Sequence, residues 1–588
     1  MYNYQTPLVH LSSLFANTTV VTIANYLVFK MARLLFDKLL IFVIIGNIVS
    51  AQENVIPPEL QVDIDALSSS WMTLQNTPGL GLAITRGAGE LVYARGYGFR
   101  DVENRLQVDP TTLFGIGSIT KSFTATVVIK KLNEMFPELD VAVLDTPIRV
   151  LAPGYNFILS DRYRTGSTTF RDLLSHKVCT FPELTGMFVQ SYTGSDDMYY
   201  RHRYAPEFCS FRNGFAYNNG LIGMAGDIIA HMGNTTFTDM LSELLVAIGM
   251  NETTWVKDTD DHNNMMGRSV PYIWKDGGLL RYNPELLKSV VIVNAAGGIL
   301  SSPLDMIKYM QFHLNLGKVG DQQIVPENVM SWLTTPSNMQ FRGVIKTGDN
   351  PNATVDLNVA YSLCLNVGIY DGWLRLSHGG YITPYESSMH IFPTLNLGIF
   401  IVMNGPGSVS GTLYPLNILV NDIFDTLQGN AKRSSHIAPV GQPSDLTVGP
   451  YPVRRRYAND NQVNVGAELK IEPEEAVGLF GSGFNGEMNI TMRTNLDGVP
   501  QLYVEYGIWG HGWLTQSSNA TFTIAWDTDY WMMSWSNQVG ATEVTLYFVD
   551  VDTIQYLEAG FQSATNFERG LRLDDLPEIP YAPDSCGL

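Results

Sequence analysis

Between Gln428 and Tyr457 the chain turns polar and is broken by Pro439, Pro443, Pro450 and Pro452, followed by Arg454, Arg455 and Arg456. Proline fixes φ and brings no N–H, so neither a helix nor a central strand runs through such a stretch. A single hydrophobic core cannot cross it, and 588 residues exceed what one core usually supports. The chain therefore divides into an N-terminal extension with a signal over 1–51, a first folded part over 52–430, a linker over 431–460 and a second folded part over 461–588.

The two folded parts differ in periodicity. Leu80 to Tyr97 alternates apolar and small residues around Gly87-Ala88-Gly89, which predicts a two-stranded hairpin. From Ser118 onward Phe123, Val127, Val128, Leu132 and Met135 recur at helical spacing. Further helices are expected at Thr169–Leu174, Gly220–His231, Thr236–Ile248, Pro303–Leu316 and Leu413–Leu427, and strands at Trp373–Leu376, Ser388–Phe392 and Leu397–Met403. A hairpin, then helices, then strands and a helix is an α+β order, not a βαβ alternation. Beyond the linker the pattern is strand after strand: Met488–Thr491, Leu502–Tyr506, Phe522–Trp526, Trp531–Trp535 and Val544–Val549, separated by Gly, Asn and Asp turns. This predicts a small antiparallel β-barrel-like domain.

Composition excludes some functions and points to a compartment. The formal net charge of -20 leaves no basic footprint for nucleic acid. Arg33 and Lys38 precede an apolar run, Leu39–Val49, that ends in Ser50 and Ala51. That order predicts a secretory signal cleaved after Ala51, with no stable membrane insertion afterwards and an extracellular destination. Either Met31 is the start or the first thirty residues extend it; an uncleaved anchor is the alternative. Asn234, Asn251, Asn352, Asn489 and Asn519 each open an N-x-S/T sequon and are candidate glycosylation sites. Four cysteines allow three pairings; Cys179 and Cys209, nearest in sequence, are the expected disulfide, and no cysteine or histidine spacing suggests a metal site.

Three short motifs carry candidate chemistry. Ser118-Ile119-Thr120-Lys121 is the sole S-x-x-K in the chain. Serine needs a neighbouring base to become a nucleophile, and a three-residue spacing on a helix puts the lysine amine on the same face. Tyr217-Asn218-Asn219 offers a hydroxyl for proton relay and an amide to orient lysine or substrate. His378-Gly379-Gly380 follows a predicted strand, and its glycines let a ligand backbone approach; a backbone N–H there would join that of Ser118 as an oxyanion hole. Lys346-Thr347-Gly348 competes with His378 for this place, but it runs into a turn at Asp349-Asn350-Pro351, so His378 is preferred.

In that order, the three motifs resemble the serine β-lactamase and penicillin-binding-protein superfamily, and most of all its class C β-lactamase-related branch. The likeness extends over Thr112–Ala125, Phe170–His176, Phe215–Gly226, Ile248–Trp255, Ala295–Met306 and Leu376–Gly380. It implies a β-lactamase/transpeptidase-like domain, an antiparallel sheet flanked by helices with an all-helical region. It implies Ser118 as the acylated nucleophile, Lys121 and Tyr217 sharing the base work, Asn219 as orienting residue, and His378 where many relatives carry lysine. Gly379, Gly380 and Tyr381 would bind substrate, and no metal or organic cofactor is called for. The chain departs from the pattern at Thr383-Pro384-Tyr385-Glu386 and at Lys177-Val178-Cys179.

The expected function is a secreted serine hydrolase acting on the amide or ester of a small molecule or peptide. The alternative is an acidic extracellular-matrix or mineral-associated protein, with matrix or calcium as partner, that has kept the fold without turnover.

Overall fold

The computed structural model describes residues 56–87, 92–181, 185–275, 278–344, 354–406, 416–430, 469–536, 544–558 and 565–581. The expected signal, the linker, the Asn352 sequon and Lys346-Thr347-Gly348 lie outside them.

The first part opens with helix α1 (Pro58–Gln75), which packs on the hairpin β1 (Gly79–Arg86) and β2 (Val92–Asp101). Its register pairs Ala83 with Ala94, as the alternation requires. A short strand, β3 (Leu106–Gln107), lies beside β2. The other strands of the same sheet come late: β4 (Asn338–Val344), β5 (Asp356–Tyr361), β6 (Asn366–Tyr370), β7 (Trp373–Ile382), β8 (Tyr385–Phe392) and β9 (Leu397–Met403). They form a nine-stranded antiparallel sheet in the order β4-β5-β6-β7-β8-β9-β1-β2-β3. Chain order and sheet order part only where β9 returns to β1, which closes the N-terminal hairpin onto the C-terminal strands. Every residue of β9 is buried, as is every residue of β8. Such strands read as continuous apolar runs because both faces are covered.

The helices between β3 and β4 fill one face. Helix α2 (Thr120–Met135) is buried at every position from Thr120 to Ile129, so it is the axis of the largest core and not a surface helix. Its buried hydroxyls are satisfied locally: Ser122 Oγ donates to Ile119 O, Thr124 Oγ1 to Ala295 O and Thr126 Oγ1 to Ser122 O. Around it lie α3 (Asn219–Met232), α4 (Phe237–Ile248) and α5 (Pro303–Leu314). Asn218, Thr236 and Ser302 cap these three helices by accepting from a backbone N–H in the first turn. The opposite face of the sheet is covered by α1 and by α6 (Leu416–Leu427).

The second part is a closed barrel of eight antiparallel strands, β10 (Gly478–Ser482), β11 (Gly486–Thr494), β12 (Pro500–Tyr506), β13 (Gly510–Ser518), β14 (Thr521–Trp526), β15 (Val544–Phe548), β16 (Thr553–Glu558) and β17 (Thr565–Arg569). Phe480, Met488, Ile490, Val504, Phe522, Leu546, Ile554 and Phe567 fill it. Two expectations need correction. Trp531–Trp535 is not a strand but lies within a short helix, Tyr530–Ser536, where Tyr530 and Met533 fall one turn apart and are both buried. The strand expected to end at Leu376 continues to Ile382, so His378-Gly379-Gly380 lies inside β7 and not after it. Cys179 and Cys209 are joined, with Cα atoms 4.9 Å apart; Cys364 is free and buried.

Candidate active site

Ser118 sits in a tight 3-10 turn, Gly117–Ile119, that runs straight into α2. Gly117 has φ of +51°, and a Cβ there would lie 2.5 Å from Tyr381 N. A side chain at 380 would lie 1.9 Å from Ile116 O. Glycine at both positions therefore lets the serine turn and strand β7 touch backbone to backbone, which sets Ser118 beside Tyr381. Both residues line one cavity.

Lys121, in the first turn of α2, is fully buried. Its Nζ donates to Ser118 Oγ (2.9 Å), Asn219 Oδ1 (2.6 Å) and the carbonyl of Ala296 (2.8 Å). None of the three is a carboxylate. Burial without a counter-charge pulls the amine down to about 7. Tyr217 lies alongside, with Lys121 Nζ 4.8 Å from its ring centroid. Tyr217 and Asn219 are held together by the residue between them: Asn218 Oδ1 accepts from Leu221 N to cap α3, and its Nδ2 donates to Phe181 O.

His378 is close to this group but bonded elsewhere. Its Nδ1 contacts Gly379 O at 2.5 Å and its Nε2 contacts Tyr361 Oη at 2.9 Å. A carbonyl can only accept, so Nδ1 carries the proton and Nε2 accepts from the tyrosine hydroxyl. Burial, and then the Lys121 charge, hold the ring down to about 3, so it is neutral. Of the expected site residues, Ser118, Lys121 and Asn219 form one hydrogen-bonded cluster. Tyr217 packs against it, Tyr381 borders it, and His378 stands behind Tyr217 with ring centroids 6.4 Å apart.

The Beta-lactamase family model matches residues 64–420. The chain belongs to the β-lactamase family. An unguisins hydrolase of Aspergillus campestris is 26% identical over 355 residues, which is 59% of this chain and 62% of that one. Gigasin-6 of Magallana gigas is 25% identical over 243 residues, 41% of this chain and 78% of that one. The chain thus spans about three fifths of the length of the fungal relative. Among solved structures, a penicillin-binding protein homologue from Pyrococcus abyssi is 20% identical with a TM-score of 0.52, covering 86% of this chain and 99% of that one. A D-amino acid amidase from Ochrobactrum anthropi is 20% identical with a TM-score of 0.50, covering 63% and 99%. These two likenesses are of fold.

This β-lactamase-family site contains residues that the motifs did not single out. Ala296 contributes a carbonyl, which has no signature in residue type. His176 packs tilted against Tyr217, with ring centroids 4.3 Å apart, and against Tyr361 at 5.2 Å, and its Nδ1 accepts from Asn218 N. Burial holds His176 well below its ordinary range, so it is a neutral spacer behind the tyrosines. Tyr361 Oη occupies the other nitrogen of His378, whose tautomer the Gly379 carbonyl sets. The available signal for His176 was its place at the end of Phe170–His176, one of the stretches that resembles the family.

Among the described residues, no cluster of His, Cys, Asp or Glu is arranged to hold a metal ion. None of their helices is long and apolar enough to cross a membrane. Asn234, Asn251 and Asn519 are exposed and Asn489 is half-buried.

Proposed function

We propose that this protein is a serine hydrolase that forms an acyl-enzyme on Ser118 and hydrolyses an ester or amide. The observation that carries the reading is the three-way sharing of Lys121 Nζ. Asn219 Oδ1 and Ala296 O can only accept. In the neutral amine these two occupy both N–H groups, and the lone pair is left facing Ser118 Oγ. The lysine is thereby oriented as a base toward one atom.

Ser118 Oγ attacks the carbonyl carbon, and its proton passes to Lys121 Nζ, with Tyr217 sharing the relay. Backbone N–H groups of Ser118 and Tyr381 stabilise the oxyanion. The carbonyl re-forms, the leaving group departs with the bonding pair and takes the proton from Lys121. Water then attacks the acyl carbon, giving its proton to Lys121, and Ser118 Oγ leaves and is reprotonated from the lysine. Asn219 holds the amine in register throughout, and Gly380 lets the serine turn lie against β7 beside Tyr381.

The expected location is extracellular, a reading supported by the N-terminal sequence and consistent with a disulfide between Cys179 and Cys209. N-terminal sequencing of the mature protein checks cleavage after Ala51. The hydrolase reading is tested with a fluorophosphonate probe and peptide mapping. Label on Ser118, lost in Ser118→Ala together with turnover of p-nitrophenyl acetate, is expected. A folded protein that neither takes the label nor turns over ester or amide would overturn it and return the matrix-protein alternative.

A further inference from the structure

Ser118 and Asn219 open onto a cavity of ≈ 200 Å³. Apart from exposed Tyr381 and half-buried Phe188 and Gly297, its other walls are buried and mainly apolar, including Met187, Leu286, Val290 and Ile382. Among the described residues that line it, none carries a formal charge. One wall comes from the second folded part of the chain. Met533, on the helix Tyr530–Ser536, is 3% exposed and lines the same cavity as Ser118. Tyr282 lines it too and belongs to the barrel's hydrophobic core; its Oη has no hydrogen-bond partner.

The barrel helix is fixed where it is. Asn283 Nδ2 donates to Asp529 Oδ2 at 2.7 Å, Asn283 N lies 3.4 Å from Met532 Sδ, and Lys275 Nζ sits 4.1 Å over the Trp531 ring. These contacts flank Met533 and set the depth of the cavity.

We propose that the cavity is the acyl-chain pocket of the enzyme, that it takes an uncharged apolar acyl group, and that Met533 of the barrel sets how long that group can be. This rests on the serine-hydrolase reading. The acyl group stays on Ser118 after the first step while the leaving group has to diffuse away, so a pocket walled by buried side chains suits the former. At about 30 Å³ per water-sized group, the volume holds on the order of six heavy atoms, which suits an acyl chain of about that length. Lys121, at the Ser118 end, has its N–H positions taken up by Ser118, Asn219 and Ala296, so an acyl carboxylate deeper in the cavity would be desolvated with no cation among the described lining residues to meet it. His378 offers none, since both its nitrogens are engaged within the protein.

The test is the kcat/KM of p-nitrophenyl esters from acetate to decanoate, together with the half-ester of adipic acid. Wild type should peak near hexanoate and disfavour the adipate half-ester on the order of a hundredfold against hexanoate. Met533→Trp should lower the hexanoate-to-acetate ratio by about tenfold, and Met533→Ala should move the peak to longer chains. Opposite shifts in two variants, each checked by thermal melting, separate pocket depth from misfolding. A peak in the same place in both folded variants, or a preference for the charged half-ester, overturns the proposal while Ser118 still takes the fluorophosphonate label. Failure of that label in wild type removes the hydrolase reading, and the proposal with it.

Discussion

Lys121 decides how the site depends on pH. Its Nζ has three neutral acceptors for three N–H groups, and burial brings it to about 7. Below that value the amine is charged and cannot take the Ser118 proton; above it the lone pair is free. Hydrolysis of an uncharged ester should therefore rise about tenfold per pH unit below the inflection and level off beyond it. Lys121→Arg keeps a group that stays protonated throughout and should lose turnover by on the order of a thousandfold with no inflection left. The pH–rate profiles of both proteins check this; a wild-type rate flat across neutral pH would exclude lysine as base. The Ser118–Lys121 pair was legible because it rests on a three-residue spacing at a helix start; Asn219, 98 residues beyond Lys121, was reached only through the family resemblance of its motif. The Ala296 carbonyl and the Tyr361–His378 bond were not legible, because they depend on which elements pack together and not on local pattern.

At the scale of elements, the site depends on one close crossing, between the Gly117–Ile119 turn and strand β7. Gly380 is the point of contact: a methyl there would fall 1.9 Å from Ile116 O and 2.3 Å from Ser387 Oγ. Ser387 can rotate; a backbone carbonyl cannot without moving the turn. Gly380→Ala should cost about 2 kcal/mol or more of stability and lower Ser118 labelling in the protein that still folds, because the turn is displaced from Tyr381. Urea unfolding and labelling rates measure the two effects separately; a variant equal to wild type in both would show that the crossing is looser than its geometry. The glycines were visible in the sequence, yet their location was misjudged by taking the strand to end at Leu376. Glycine interrupts the apolar alternation that marks a strand, so β7 seemed to stop where it was only being kept narrow. The helix Tyr530–Ser536 failed in the opposite way. Its run of Trp, Met and Ser has the aromatic content of a strand, and only packing against Tyr282 and Asn283 makes the helical spacing of Tyr530 and Met533 the one that buries both.

Across the whole molecule, the question is what holds the barrel against the hydrolase fold, since the family match ends at residue 420 and the barrel begins at Gly478. The contact is built largely on residues 189–204. Val189 O accepts from the N–H groups of both Ile508 and Trp509; Ser191 Oγ donates to Asn485 O and Tyr192 Oη to Phe484 O. Arg203 is the buried charged anchor among them, at 1% exposure. Its Nη1 donates to Glu578 O, its Nε to Tyr200 O, and the guanidinium lies 3.7 Å over the Tyr200 ring. The chain beyond the barrel strands is thus tied back to the helical region, and Tyr204 Oη adds a bond to Pro577 O. Arg203→Ala removes two charge-assisted hydrogen bonds from a buried position and should cost about 2–4 kcal/mol. The loss should be felt at a distance: the Ile508 and Trp509 amides, bonded to Val189, should exchange with solvent faster in the variant. Arg203→Lys keeps the charge without the planar fork and should recover only part of the difference. Unfolding free energy and amide exchange read the two together. If Arg203→Ala lowers stability but leaves exchange at Ile508 and Trp509 as in wild type, the anchor serves the helical region alone, and the barrel is held by the Val189 and Asn485 contacts without it.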